Sequence, residues 1–303
     1  MDLNSLTKID FNRNSHANMI MKYSHYIPIE DLSKPTFIPL IKCLHKVEKV
    51  IYSVNIIKIT ESKKKLLDKS IQIHTKLKEA SNNIVQLKEY IEKKDLRIIV
   101  LEYLDTSLED LLHKQFQKGM SEKIAFFFFR QILNGVKQIH KLNCIHRDLQ
   151  INQIFIQDYR IKICGFTMAY ILGGNDSIIK ILNKSRFNPP ELCSIIENCF
   201  EEKYAEKVDV YSLGIILYLL LHNSYPNSSP EDDLEYPFNI EFDCKLSKEV
   251  KELVKNCLLV KAENRFSIKD IEKSSWFKLM NDIFNQLEKD NLLTCKEIFL
   301  LLI

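Results

Sequence analysis

Residues 144–155 read Cys-Ile-His-Arg-Asp-Leu-Gln-Ile-Asn-Gln-Ile-Phe, so that one carboxylate, Asp148, follows an imidazole and a guanidinium, His146 and Arg147. A carboxylate in such a loop can take a hydroxyl proton as a general base, or it can serve the loop as a hydrogen-bond acceptor. The polar groups that come next, Gln150 and Gln153, carry no charge. Glycine is scarce: only six occur, and the first is Gly119. Glycines let backbone amides approach a phosphate closely, so nothing before residue 119 is built as a glycine-rich phosphate cradle.

A chain of 303 residues, 46% hydrophobic and 27% charged, has a globular composition with room for one large domain or two lobes. Its 43 basic and 40 acidic residues leave a net charge of +3, which gives no reason to expect nucleic acid as a partner. The eight cysteines stand singly, without a Cys-x-x-Cys pair. Reduced thiols in a reducing compartment are therefore expected. Residues 1–30 are Asn-rich and polar with no continuous apolar core, so no secretory signal is read there. The longest apolar run, Leu213 to Leu221, falls short of the roughly 20 residues that span a bilayer and reads as a buried helix. No membrane association is expected, and the chain is placed inside the cell, in cytoplasm or nucleus.

Two stretches, 38–60 and 96–104, are β-branched and apolar in the manner of strands. Between them, 62–80 is Lys-rich with apolar residues at 66, 67, 71, 73 and 77, which suits a helix covering a sheet. After Asp105 helices dominate. Ser107–Leu112 and Ser121–Leu142 come first, the second with Ala125, Phe126, Phe129, Ile132, Leu133 and Val136 at helical spacing. Others are predicted near 190–199, 208–222, 247–259 and 267–272. The change of character near 104–106 marks a hinge within one domain. The apolar tail, Leu292-Leu293 and 298–303, is expected to dock on the larger lobe or to meet a partner or second copy.

From about residue 30 to 278 the chain resembles the eukaryotic protein kinase domain of serine/threonine type, through landmarks in the family's order. Asn83-Ile84-Val85 and then Ile99-Val100-Leu101-Glu102-Tyr103 resemble the central strands and the hinge, with Leu101 as gatekeeper. Phe128 to Leu133, then Ile139-His140, is similar to the helix before the catalytic loop, which His146-Arg147-Asp148 opens. Ile161 to Thr167 stands at the metal-binding loop, Pro189-Pro190-Glu191 at the family's Ala-Pro-Glu, and Asp209 to Gly214 at the start of the central helix. Arg265, Ser267 and Trp276-Phe277 close the series. The resemblance implies an α+β, two-lobed kinase-like fold. A β-rich N-lobe would cover 30–104 and a helical C-lobe 105–278, with a polar extension over 1–29 and a helical tail over 279–303.

The resemblance also implies sites, and at those the chain departs from the family. The phosphate-binding lysine of the third strand falls on Asn55, and the glutamate that steadies it on Ser70, or on Gln72 with the gap moved. The glycine-rich loop falls on Leu32–Leu40, its glycines on Ser33, Pro35 and Ile38, and proline also removes an amide donor. The two magnesium ligands are Gln153 and Gly165, the glycine of Asp-Phe-Gly is Thr167, and the lysine after the catalytic aspartate is Gln150. Magnesium asks for tight octahedral geometry and prefers carboxylate and phosphate oxygens, which one neutral amide does not supply. Lys34 or Lys42 could stand in for the missing lysine. Arg147 could grip a phosphate on the activation segment, at Ser177 or Ser185, and Gly173-Gly174-Asn175-Asp176 reads as a turn there. Glu191 with Arg265 implies an internal salt bridge, and Asp209 an anchor for the catalytic-loop backbone.

Phosphoryl transfer is mostly positioning and charge neutralisation, and these substitutions remove both. The first implied function is a pseudokinase with Asp148, Arg147 and His146 as a vestigial catalytic set. It would act as a scaffold or allosteric regulator by binding a protein, an active kinase among the candidates, with its oligomeric state open. No metal site and no cofactor are expected, although ATP could bind without magnesium. The alternatives are a divergent Ser/Thr protein kinase transferring the ATP γ-phosphate with Asp148 as base, and a module that senses ATP without metal.

Overall fold

The β-branched stretches before residue 104 form strands, and the periodic stretches after it form helices, in a computed structural model of the chain. It describes residues 15–32, 40–77, 81–104, 106–173, 185–193, 202–226, 240–291 and 295–302. These fall into two units, one of the described residues up to 77 with 85–104, the other of 81–84 with those from 106 on. The fold is α+β, a sheet unit and a helical unit.

The smaller unit holds α1 (Ser15–Tyr23), β1 (Tyr26–Asp31), β2 (Leu40–His45), β3 (Ile51–Lys58), α2 (Glu61–Leu77), β4 (Leu87–Lys93) and β5 (Leu96–Glu102). Its strands pair antiparallel in the order β1-β2-β3-β5-β4. Alternation along β3 sends Val54 and Ile56 to one face with Ile41, Cys43, Ile98 and Val100, where Ala17 and Ile20 of α1 cover them. On the opposite face Leu67 of α2 packs with Leu87 and Ile99. Burying each such aliphatic side chain contributes roughly 1.5–3 kcal/mol.

Two sequence expectations change here. Residues 15–29, read as part of a polar extension, supply a helix and most of a strand, with Ala17, Ile20 and Tyr26 fully buried. Asn83-Ile84-Val85 is not a sheet strand. Ser81 Oγ accepts the Asn83 amide at 3.0 Å in a turn, Ile84 makes a lone parallel bridge to Ile163, and the strand follows as β4.

His74 on α2 is buried and donates Nε2–H to the Val85 carbonyl at 2.7 Å. Burial holds its pKa below the usual value, against the opposing pull of that hydrogen bond and of Glu102. An unfolded histidine titrates near 6.5. The neutral ring therefore stabilises the fold above that pH, and the contribution is lost as pH falls through the lower folded value. The melting temperature should drop between pH 7.5 and 5.5, and His74→Gln should flatten the drop. His222, also lowered by burial, leaves a residual slope; an unchanged slope in the variant refutes the assignment.

The larger unit is built on α4 (Glu122–Lys141) and α6 (Glu206–His222). Ser121 caps α4 by accepting the Ile124 amide, and Phe126 to Phe129 are all buried. Phe126 meets Trp276, Phe277 and Phe284 at ring-centroid distances of 5.5, 5.1 and 5.1 Å. On α6 every residue from Val208 to Leu221 is buried, as befits a helix apolar all round. No helix among the described residues is long and apolar enough to cross a membrane. Around this pair lie β6 (Thr106–Ser107), α3 (Leu108–Gln115), β7 (Cys144–Ile145), β8 (Ile154–Gln157), β9 (Arg160–Ile163), β10 (Tyr170–Ile171) and α5 (Pro190–Cys193). The chain closes with α7 (Lys248–Cys257), α8 (Ile268–Lys273), α9 (Ser275–Asn291) and α10 (Cys295–Leu302). Of the helix expected over 190–199, all beyond α5 lies outside the described residues.

The described part of the tail docks on this unit, while Leu292, Leu293 and Ile303 lie outside the described residues. Helix α9 runs across the boundary drawn at 278, and Phe284 and Phe299 of α9 and α10 lie 6.3 and 5.8 Å from the Phe127 ring.

Candidate functional site

The loop after β7 is organised from below by Asp209, fully buried in the first turn of α6. Its Oδ2 accepts from His140 Nε2 and from the His146 amide, both at 2.8 Å, and its Oδ1 from the Arg147 amide at 2.9 Å. Burial alone would raise the Asp209 pKa. The hydrogen bond and charge of His140, with the His146 amide, outweigh it and hold the carboxyl below the ordinary range. Those two amides stabilise a costly backbone, because Arg147 sits at φ 65°, a conformation worth roughly 1–2 kcal/mol of strain for an L-residue. The buried Arg147 guanidinium lies 5.9 Å from the Tyr170 ring, and burial lowers its pKa against the opposing effect of Asp209.

His146 ties this loop to the strand that follows. Its Nε2–H donates to the Cys164 carbonyl at 2.8 Å, and its Nδ1 accepts the Asp148 amide at 3.3 Å. Those partners fix the tautomer.

Both oxygens of Asp148 are occupied by amide donors. Gln150 Nε2 donates to Oδ1 in a short bond, and Gln153 Nε2 donates to Oδ2 at 2.8 Å. Gln153 ends the 3-10 turn Ile151–Gln153, and its carbonyl accepts the Cys164 amide at 2.9 Å. Its side-chain Oε1 is buried without a hydrogen-bond partner. Exchanging the amide's N and O would only turn that oxygen against the Asp148 carboxylate. Gly165 adopts φ 84°, ψ 37°, and a Cβ built there would lie 1.3 Å from Gln153 Oε1 and 2.4 Å from its Cδ. The glutamine side chain therefore fills the space that a side chain at 165 needs. The sequence shows two substitutions; the structure shows one fitted pair.

In the smaller unit, Asn55 of β3 stands between Leu40 on β2 and Ile99 on β5. It is half-buried, and its Oδ1 has no hydrogen-bond partner. No charge stands at that position. On α2, Ser70 is half-exposed and Gln72 exposed. Lys42 lies opposite Ser53, one residue pair away from Asn55 along its face, and its ammonium donates to Tyr103 Oη at 3.1 Å, 4.3 Å from that ring's centroid. Glu102 accepts the Gln86 amide at 2.8 Å, and Leu101 packs half-buried against Leu67, Leu87 and Ile99. Lys34 and the glycine-loop counterparts Ser33, Pro35 and Ile38 lie outside the described residues, as do Gly174, Asn175, Asp176 and Ser177.

A family model of the protein kinase domain matches residues 34–277. The chain belongs to the protein kinase domain family. It is 30% identical over 221 residues to the serine/threonine-protein kinase SRK2I of Arabidopsis thaliana, a match covering 67% of this chain and 59% of the relative. To the serine/threonine-protein kinase cds1 of Schizosaccharomyces pombe it is 27% identical over 289 residues, 89% of this chain and 62% of that protein. A carbon catabolite-derepressing protein kinase of Candida glabrata shares 30% over 207 residues, 65% of this chain and 32% of the relative. The chain thus spans less than two thirds of the length of these relatives.

Within this kinase domain the structural pairs stand where the family landmarks put them. The buried Arg265 guanidinium forks onto Glu191 with N–O distances of 2.7 and 3.0 Å, and donates its remaining hydrogens to the carbonyls of Leu259, Lys207 and Val260. Ser185 Oγ accepts the Phe187 amide at 3.3 Å. The residues present do not fit a magnesium-bound nucleotide: position 165 has no side chain, and the Gln153 amide is turned to Asp148. From sequence Gln150 marks only a lost lysine; its bond to Asp148 is a finding of the structure. The signal available was two donor amides within five residues of a carboxylate.

Proposed function

We propose that this kinase-fold chain transfers no phosphate and works by binding another protein, as a scaffold or allosteric regulator, with an active kinase as one partner class. One observation carries the reading: the side chain at one magnesium position fills the place of the other, while the oxygens of Asp148 are engaged by the chain's own amides. Each oxygen of that base already accepts one amide hydrogen bond, so a substrate hydroxyl would have to share it with a glutamine. Losing one preorganised electrostatic contact in an active site raises a barrier by about 2.7–4 kcal/mol. Here the lysine, its glutamate and two metal ligands are absent together, beyond what Lys42 could restore while it rests on Tyr103.

The test is a thermal-shift titration with ATP, alone and with magnesium or manganese, alongside transfer of labelled γ-phosphate to a peptide. No metal-dependent shift and no transfer are expected. A shift with ATP alone would make the chain a metal-independent nucleotide sensor. Metal-dependent transfer that disappears in Asp148→Asn would make it a divergent serine/threonine kinase and end the proposal.

A further inference from the structure

Helix α6 ends in an aromatic stack that ties down residues 240–246 of the larger unit. The His222 ring lies 4.0 Å from the Tyr218 ring, one turn back on the helix, at an interplanar angle of 13°. Phe242 meets both, with ring centroids 5.8 Å from Tyr218 and 5.9 Å from His222. The Lys255 ammonium of α7 stands 5.8 Å from the Phe242 centroid. The Tyr218 hydroxyl donates to the Glu241 carbonyl at 2.7 Å, and the Asp243 amide donates to His222 at 3.3 Å. The stretch is thus fastened at three successive residues, the last of them by an imidazole.

His222 makes its two bonds in one protonation state. Its Nδ1 lies 3.0 Å from the Tyr218 carbonyl, which can only accept, so Nδ1 carries the hydrogen. Its Nε2 faces the Asp243 amide, which can only donate, so Nε2 is bare. The neutral Nδ1–H ring satisfies both partners. A second proton on Nε2 sets hydrogen against hydrogen at Asp243 and breaks that tie.

We infer that residues 240–246 form an acid-released strap, docked on the end of α6 while His222 is neutral and undocked when its ring is protonated. The groups around the ring set where this happens. Burial favours the neutral form and outweighs the Tyr218 carbonyl and the Asp243 carboxylate, which favour the charged one; the Lys251 ammonium of α7 sides with burial, and the ring is held below the usual histidine value. Asp243 accepts the Lys245 amide at 2.9 Å, and that bond keeps its carboxyl below the ordinary range. Tyr218 is raised by burial and by Glu241. Neither group therefore titrates between pH 5.5 and 7.5, whereas an imidazole freed from the stack titrates near 6.5. Docking is complete above that pH and is lost as pH falls through the lower docked value. The device is independent of whether the chain transfers phosphate.

Hydrogen exchange of the full chain, read by mass spectrometry over 240–247 and corrected for the intrinsic effect of pH, measures the opening. Between pH 7.5 and 5.5 the opening equilibrium should rise several-fold, to a limit of about tenfold. His222→Gln keeps a donor and an acceptor but does not titrate, and should remove most of that rise. Nitrogen NMR of the wild-type ring gives a second reading that needs no variant: a bare Nε2 at pH 7.5 and a titration midpoint below 6.5 are expected. A ring with its hydrogen on Nε2, an opening equilibrium that does not change with pH, or an equal rise in His222→Gln overturns the strap.

Discussion

Gly165→Asp and Gln153→Asn made together are expected to destabilise the protein less than the sum of the two changes made singly. Alone, Gly165→Asp puts a Cβ 1.3 Å from Gln153 Oε1 and a side chain on a left-handed backbone. The backbone term is roughly 1–2 kcal/mol. Expelling the glutamine breaks its bond to Asp148, and a hydrogen bond to a charged group is worth about 1.5–3 kcal/mol. Asparagine at 153 is one methylene shorter and withdraws the amide from that space, so the two changes should couple by about 0.5–3 kcal/mol. Urea denaturation of the four proteins measures the cycle. Additivity within about 0.5 kcal/mol would show that Gln153 does not occupy the site of a side chain at 165. A magnesium-dependent thermal shift with ATP should appear only in the double variant. Transfer should remain absent, because Asn55 still brings no charge.

Asp209→Ala should cost about 3–5 kcal/mol, the usual loss when one partner leaves a buried charged network. The carboxylate serves His140 and two successive amides, and each buried amide left without an acceptor costs about 1–3 kcal/mol. Arg147 would then lose the bond that supports its left-handed backbone. The pH dependence carries a distinct signature. The Asp209 carboxyl is held below its ordinary value, and an unfolded aspartate titrates near 3.9. Its stabilisation is complete above that pH and is lost as pH falls through the lower folded value. The wild-type chain should therefore lose stability steeply on the acid side, and Asp209→Asn, which cannot ionise, should lose less over the same interval. Equal slopes for the two proteins would remove Asp209 from that role.

Residue types and their spacing already contain the larger helices and the chemical deficit. The spaced apolar residues after Ser121 and the unbroken run after Val208 mark helices because burial follows a helical period, and they are observed at Glu122–Lys141 and Glu206–His222. That Asn55, Gln153 and Gly165 bring no charge is a property of residue type and needs no coordinates. Other features were decided only by contacts between residues far apart in the chain. Helix α1 shows just Ala17 and Ile20 as buried residues, too weak a stripe to read against its Asn-rich, polar surroundings until the sheet lies beneath it. Strand β4 escaped because it is an edge strand with charged residues and a register shift between Leu87 and Glu89, which breaks the alternation of two. The seat of Phe299 against Phe127 and the Gln153 amide lying over Gly165 depend on where side chains meet. Composition and spacing carry no information about such meetings, because each is a choice among packings that one pattern of residues allows.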